Sequence, residues 1–176
     1  MIDLSTILIA IGLTVFLIFG LTVFRGAPYV PSQRRYIERA FTGLYKIGPD
    51  DVLVDFGSGD GLVLRMAARA GAKAIGFELN PILVLLSRLL ARGNPRVSTK
   101  LADMWVTPLP DETTIVYLFS VSRDRKNITK RLQLETNRIG HAIKVMTLGS
   151  GLEGLTPEAS RDAYELYTLQ PTPTHV

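Results

Sequence analysis

The chain has 176 residues, of which 47% are apolar and 20% are charged, with 20 Lys and Arg against 16 Asp and Glu. This length suits one compact domain with an appendage, and the apolar fraction excludes a disordered chain. Cys is absent and His occurs only twice, which excludes disulfides, thiolate zinc sites and cysteine nucleophiles. We therefore expect no metal site, and the net charge of +4 is too small to indicate nucleic-acid binding.

The first segment predicts a membrane anchor, because residues 4–24 carry no charge. As a helix rising about 1.5 Å per residue they cover about 31 Å, which matches the hydrocarbon core of a bilayer. Asp3 precedes this run, whereas basic residues follow it: Arg25, Arg34, Arg35, Arg39 and Lys46. The positive-inside rule then predicts a single-pass anchor with the catalytic domain on the cytoplasmic side. A cleaved signal peptide and a mitochondrial inner-membrane anchor are alternatives.

The rest of the chain predicts strands alternating with helices. The predicted strands are residues 52–56, 73–78, 96–101, 114–119 and 142–148, and the predicted helices are residues 62–70, 82–92 and 124–135. Because parallel neighbours need a crossover, the alternation predicts an α/β fold with a Rossmann-like, mostly parallel sheet. Residues 163–170 alternate in period two and predict a last, antiparallel strand. Few residues separate this strand from residue 148, so we expect an abbreviated C-terminal end.

A glycine-rich loop, Asp55-Phe56-Gly57-Ser58-Gly59-Asp60-Gly61, follows the first predicted strand. Glycines let the backbone approach a ligand closely and turn free amides toward it. The dinucleotide fingerprint fails because Leu62 stands at its last glycine, and the phosphate-binding P-loop fails because residues 57–64 contain no Lys. Asp55 would repel a pyrophosphate and attract an ammonium group.

Two further acids lie at or just after the ends of the next two predicted strands. Glu78 ends the second strand, and a carboxylate there can accept both hydroxyls of a ribose. After the third strand, Asp103 offers an acceptor for an exocyclic amine, and Met104 and Trp105 offer a face for a purine ring. Together with the glycine loop, these residues indicate an adenosine that bears an amino acid, which is S-adenosyl-L-methionine.

The motifs D-F-G-S-G-D-G (55–61), G-F-E-L-N-P (76–81) and A-D-M-W (102–105) resemble those of class I S-adenosylmethionine-dependent methyltransferases. With P-Y-V-P (28–31) after the predicted anchor, the chain is similar to the small membrane-anchored protein-lysine methyltransferases of mitochondria and their prokaryotic relatives. Those enzymes modify the ADP/ATP carrier and the ATP synthase c subunit. The resemblance covers about residues 27–148.

The resemblance implies which residues form the site. The implied cofactor-binding residues are Asp55, Gly57, Ser58, Gly59, Asp60, Gly61, Glu78, Asn80, Asp103, Met104 and Trp105. The implied substrate-side residues, which would close over the site, are Pro28, Tyr29, Val30 and Pro31. No catalytic base is identified, and Tyr29, Ser120 and Ser122 are candidates by position only. The segment 119–122 lacks the Asn-Pro-Pro-Tyr motif of amide-directed methyltransferases, which disfavours that substrate class.

The sequence therefore predicts an anchored methyltransferase that methylates lysine side chains of a membrane-associated protein. A lipid or quinone-like acceptor, and a non-catalytic cofactor-binding sensor or assembly factor, remain as alternatives. The predicted organisation is an anchor at residues 1–25, a juxtamembrane and pre-strand segment at 26–50, a methyltransferase domain at 51–170 and a tail at 171–176.

Overall fold

The computed structural model describes residues 3–25 and 32–172, with side chains given for residues 3–14 and 32–172. The helices are α1 (Leu4–Arg25), α2 (Arg34–Gly43), α3 (Leu62–Arg69), α4 (Pro81–Leu90) and α5 (Arg125–Ile139), with a 3-10 turn at Ser122–Asp124. The strands are β1 (Val52–Phe56), β2 (Lys73–Glu78), β3 (Val97–Leu101), β4 (Ile115–Ser120), β5 (Ile143–Gly149), β6 (Ala159–Arg161) and β7 (Tyr164–Leu169).

The strands form one sheet in the order β3-β2-β1-β4-β5-β7-β6. Strands β1 to β5 pair in parallel, and β7 runs antiparallel to both β5 and β6. The prediction of a Rossmann-like, mostly parallel sheet is confirmed. Because the parallel strands all end at one edge, the loops after β1, β2 and β4 meet there, and strand order reverses between β1 and β4 at that same edge.

Two apolar cores cover the two faces of the sheet. On one face, Leu53 and Ile115 are fully buried with side chains from α2 and α3. On the other face, Val54 and Val116 are fully buried with Leu132 from α5. Neighbouring residues of a strand thus serve opposite cores, which explains why the central strands are apolar almost throughout.

Helix α2 lies within the segment that the sequence assigns to residues 26–50. Its residues Ile37, Ala40 and Phe41 are buried in the core that α3 also covers. The spacing of three and four residues places them on one side of the helix, and charged residues cover the opposite side. This helix therefore packs on the sheet beside α3.

The C-terminal end differs in part from its prediction. The antiparallel strand is present as β7, and a further strand, β6, pairs with it at the sheet edge. No helix lies between β5 and β6 in residues 150–158, all of which are described. The shortening therefore removes a helix and leaves the seven-stranded sheet complete.

The prediction of a transmembrane anchor is wrong. In the described part of the chain, no helix is both long enough and apolar enough to cross a bilayer. The single-pass location with a cytoplasmic catalytic domain, and the mitochondrial alternative built on the same anchor, are corrected with it.

Candidate functional site

The glycine loop turns the chain sharply from β1 into α3. Gly57, Gly59 and Gly61 all have positive φ angles, of 81°, 54° and 77°, which side chains with a Cβ rarely adopt. A Cβ at Gly57 would meet no atom within 4 Å, so open space lies in front of it. A Cβ at Gly61 would instead collide with the Ser87 hydroxyl of α4. Gly57 thus leaves room for a ligand, whereas Gly61 serves helix packing.

The amides of the loop glycines are already paired within the protein. Gly57 and Ser58 both donate to the carbonyl of Phe77, at 2.9 and 3.1 Å, and Gly61 donates to the carbonyl of Ser58. Gly59 donates to a carboxylate oxygen of Glu78 at 2.8 Å. The expectation that these glycine amides are free is therefore corrected. The loop lacks the row of free donors that holds a phosphate group.

The carboxyl group of Asp55 lies beneath this loop and is 2% exposed. No described residue donates a hydrogen bond to it. Burial, and then the negative charges of Glu78 and Asp60, raise the pKa of Asp55 well above its ordinary value. A carboxylate held in this way gains stability when a cation binds beside it. The site therefore favours a ligand with an ammonium group.

Glu78 ends β2 and joins the two motifs on either side of it. One carboxylate oxygen accepts the amide of Gly59, and the other accepts the amide of Asn80, both at 2.8 Å. These bonds fix the carboxylate at the carboxyl edge of the sheet with 9% of the residue exposed. Each oxygen keeps a second lone pair for a ligand hydroxyl.

Asn80 caps α4, and Pro81 follows at the first helical position. Its side-chain oxygen accepts the amides of Ile82 and Leu83, at 2.9 and 3.4 Å. Among the described residues, nothing forms a hydrogen bond with its buried amide nitrogen or with the buried hydroxyl of Ser120 at the end of β4. Unpartnered buried polar atoms are costly unless a ligand or a water satisfies them. With the space at Gly57, they fit a polar ligand at this edge, as S-adenosylmethionine requires.

Asp103, Met104 and Trp105 occupy the loop after β3, and all three are half-buried. Asp103 accepts the backbone amide of Trp105 at 2.9 Å, which makes a local turn. Met104 and Trp105 pack against the core on the α5 face of the sheet. The loop thus has its own rigid turn beside the end of β2.

Two charged residues of α5 hold this loop, and they lie outside the predicted site. Arg131 donates to the carbonyls of Met104 and Thr107, at 3.3 and 2.6 Å, and to Glu135 at 2.8 Å. Glu135 also accepts the backbone amide of Leu109 at 2.8 Å. Their spacing of four residues on a predicted helix is the sequence signal for this pair.

A chain of hydroxyl groups lies beside Asp55 on the α2 face. Tyr117 of β4 bonds to Ser32 and donates to Tyr164 of β7, both at 3.3 Å. Both tyrosines are 2% exposed. Burial first, and the neighbouring Tyr164, raise the pKa of Tyr117 well above its ordinary value, so its proton stays in place. Phe41 of α2 packs edge-on against the Tyr117 ring. The network ties the start of α2 to the sheet.

The remaining predicted residues are distributed as follows. Ser58 is buried, and Asp60 accepts the amide of Leu62 at 3.1 Å and pairs with Arg65, so it serves the start of α3. Ser122 is exposed and shares a hydrogen bond with Ser150 at 3.1 Å. The substrate-side residues Pro28, Tyr29, Val30 and Pro31 lie outside the described residues.

Comparison with known proteins places this geometry among methyltransferases. No protein-family model matches the chain. Over 112 residues it is 38% identical to the lysine N-methyltransferase of the ATP synthase c subunit from Rattus norvegicus, spanning 61% of this chain and 50% of that protein. Over 113 residues it is 34% identical to the adenine nucleotide translocase lysine N-methyltransferase of Mus musculus, spanning 57% and 48%. The resemblance inferred from the motifs is confirmed. The chain spans about half the length of these curated relatives.

A solved structure supports the fold. An RNA methyltransferase from Salinibacter ruber, in complex with S-adenosyl-L-homocysteine, superposes with a TM-score of 0.70 and 23% sequence identity. The match covers 84% of this chain and 98% of that one. The chain has the class I methyltransferase fold, and its curated homologues are lysine N-methyltransferases.

Proposed function

We propose that the chain is an S-adenosylmethionine-dependent methyltransferase that acts on lysine side chains of a protein. The observation that carries this proposal is a buried Asp55, whose carboxyl group accepts no hydrogen bond from any described residue, beneath a glycine loop whose amides are already bonded within the protein. Such a loop suits a cationic amino-acid group and does not suit a pyrophosphate. The homologues support lysine as the acceptor.

Each residue of the site has a task in this proposal. Asp55 would bind the ammonium of the cofactor's methionine part, and Gly57 would leave space for its backbone. Glu78 would accept the ribose hydroxyls with its remaining lone pairs. The loop of Asp103, held by Arg131, would frame the adenine. When bound, the cofactor supplies an electrophilic methyl group on its sulfonium.

The protein would then position the lysine amine and keep water away from it. The amine must first lose a proton, which costs about 4–5 kcal/mol at neutral pH from a reference pKa of about 10.4. The Ser120 hydroxyl is buried at the end of β4, the strand that pairs with β1, and it has no hydrogen-bond partner in the described part of the chain. We propose that it accepts a hydrogen bond from the neutral amine. Positioning of this kind supplies much of the rate in transfer reactions.

The proposal extends to the kind of substrate protein. The relatives are named for the c subunit of ATP synthase and for the adenine nucleotide translocase. We propose that this chain acts on a protein of the same kind, which in both cases is a membrane protein. The purified translocase and the purified ATP synthase c subunit are therefore the first substrates to test.

The test is transfer of a labelled methyl group. The protein is incubated with methyl-labelled S-adenosylmethionine and each purified substrate, and methyl-lysine is quantified by mass spectrometry after hydrolysis. The expected result is cofactor-dependent methyl-lysine that is reduced in the Ser120→Ala and Glu78→Ala variants. Label in extracted lipid, with none in protein, would overturn the lysine assignment. Cofactor binding without any transfer would indicate a sensor.

A further inference from the structure

A groove of about 400 Å³ lies beside the second half of α4, at the strand β3 that forms one edge of the sheet. Its lining includes three cationic residues, Arg88, Arg92 and Lys100, and contains no Asp or Glu among the described residues. Polar side chains of Asn94 and Ser98 complete its walls. The groove lies away from the glycine loop and has no part in the proposed cofactor site.

The positive charge of the groove is not neutralised within the protein. Arg92 and Lys100 are exposed and form no ion pair in the described part of the chain. Arg88 donates from Nε to the carbonyl of Thr99 at 2.9 Å, which fixes its guanidinium on the wall. The nearby Glu112 is already bonded to Lys73 at 2.6 Å. The pKa of Glu112 is lowered first by its hydrogen bond to Lys73, and Lys100 is the last of the causes that lower it.

An apolar surface adjoins these charges on the same helix. The exposed leucines of α4 are Leu85 (69%), Leu86 (39%), Leu89 (62%) and Leu90 (49%), and Leu101 of β3 is 59% exposed. Contiguous exposed apolar residues with a polar rim are typical of an interaction site. As an edge strand, β3 also has no neighbouring strand on its outer side among the described residues.

We infer that this groove binds an acidic segment of a protein partner, whose apolar side chains contact the α4 leucines. The inference rests on the proposed function, because the partner is the lysine-bearing substrate. Cations without an acidic neighbour in the groove attract carboxylates of a partner. A concave groove with hydrogen-bonding walls fits a peptide better than it fits a flat lipid surface. The groove would therefore select substrates that carry acidic residues near the target lysine.

The position of the groove sets the minimum separation, along the substrate chain, between its acidic residues and the target lysine. Along α4, Arg88 lies eight positions after Asn80, which at about 1.5 Å per residue is about 12 Å from the cofactor edge. An extended chain covers about 3.3 Å per residue. The acidic residues are therefore expected at least about four positions from the lysine.

The test measures binding of a fluorescent peptide of Glu-Glu-Leu repeats to the full chain. Binding is measured by fluorescence anisotropy at low and at high salt. The variant Arg92→Glu/Lys100→Glu reverses two groove charges. The control Lys126→Glu/Lys130→Glu makes the same change in net charge on the exposed side of α5. Titration with S-adenosylhomocysteine in all three proteins checks the cofactor site separately, so its failure counts against the proposed function and not against the groove.

The expected result is peptide binding that weakens at least about tenfold in the groove variant and stays within about twofold in the control. A Lys-Lys-Leu peptide should not bind. Equal peptide binding by the wild type and the groove variant would overturn the inference. Binding of phosphatidylserine vesicles that depends on Arg92 and Lys100, with no binding of the acidic peptide, would also overturn it in favour of a lipid surface.

Discussion

The carboxylate of Glu78 accepts the backbone amide of Gly59 at 2.8 Å, so the end of β2 fixes the middle of the glycine loop. Two sequence motifs nineteen residues apart thereby form one structural unit. The same carboxylate also accepts the amide of Asn80 at the start of α4. A residue proposed to bind ribose thus has a second task, which is to hold the loop that the rest of the cofactor needs.

Replacing Glu78 with Ala is expected to weaken S-adenosylhomocysteine binding by about 1–3 kcal/mol, since hydrogen bonds to a charged acceptor are lost. It also leaves the buried amides of Gly59 and Asn80 without acceptors, so the free energy of unfolding should fall as well. Calorimetric titration and urea unfolding measure the two effects. Replacement of the exposed Glu38 with Ala is the control, and a Glu78→Ala protein with unchanged affinity would remove Glu78 from the site.

Asp55 is expected to destabilise the free protein. Because its folded-state pKa is raised, the folded protein keeps this proton after the unfolded chain has released it near pH 4. The free energy of unfolding should then fall as pH rises above about 4, until the folded pKa is reached. Asp55→Asn removes this pH-dependent loss of stability, so at pH 7 the variant should have a higher free energy of unfolding than the wild type.

The same Asp55→Asn variant should bind the cofactor more weakly, because the ammonium group loses its anionic partner. Urea unfolding between pH 4 and pH 8, with and without S-adenosylmethionine, tests both parts. A variant that is less stable than the wild type and binds equally well would contradict this role. Asp50→Asn, at an exposed position, provides the matched control.

Arg131→Lys is expected to loosen the loop that carries Asp103. Lysine cannot reproduce the planar donors that reach Met104, Thr107 and Glu135 together. Stability should fall by about 1–3 kcal/mol, and cofactor affinity should fall although Arg131 itself lies outside the site. Hydrogen exchange of the loop amides reports the loosening, and Arg69→Lys on the exposed end of α3 is the control. Unaltered exchange in this loop would contradict the positioning role.

Tyr117→Phe is expected to release the start of α2. The change removes the hydroxyl between Ser32 and Tyr164 and leaves the buried Tyr164 hydroxyl without its donor. The cost should be about 1–3 kcal/mol, with faster amide exchange in the first turn of α2. Tyr36→Phe, whose hydroxyl accepts Arg35 at the surface, should change stability by less than about 0.5 kcal/mol. Equal effects of the two variants would show that the buried network is not specific.

Much of the parallel sheet could be predicted because β1, β2 and β4 are mostly apolar runs bounded by turn or capping residues. β1 and β2 begin and end where the sequence predicts. Gly57 ends β1 with a positive φ angle, and Asn80 follows β2 as the N-cap of α4. β6 could not be predicted, because Ala159–Arg161 is three residues long and largely exposed, and so it carries no periodic signal. Its existence depends on pairing with β7.

The candidate site shows the same division. The types and spacing of Asp55, Glu78 and Asn80 pointed to one edge of the sheet, and the structure places them there. The use of the glycine amides could not be foreseen, because it depends on how β2 lies beside the loop. The roles of Tyr117 and Arg131 likewise arise from residues far apart in sequence that the sheet order brings together.

The most direct test of the central claim is a calorimetric titration of the wild-type chain with S-adenosylhomocysteine, with ADP and NAD as competitors for the same edge. We predict one binding site for S-adenosylhomocysteine and no measurable binding of either diphosphate, because Asp55 repels phosphates and the loop amides are occupied. A folded protein that binds ADP or NAD and ignores S-adenosylhomocysteine would contradict this prediction.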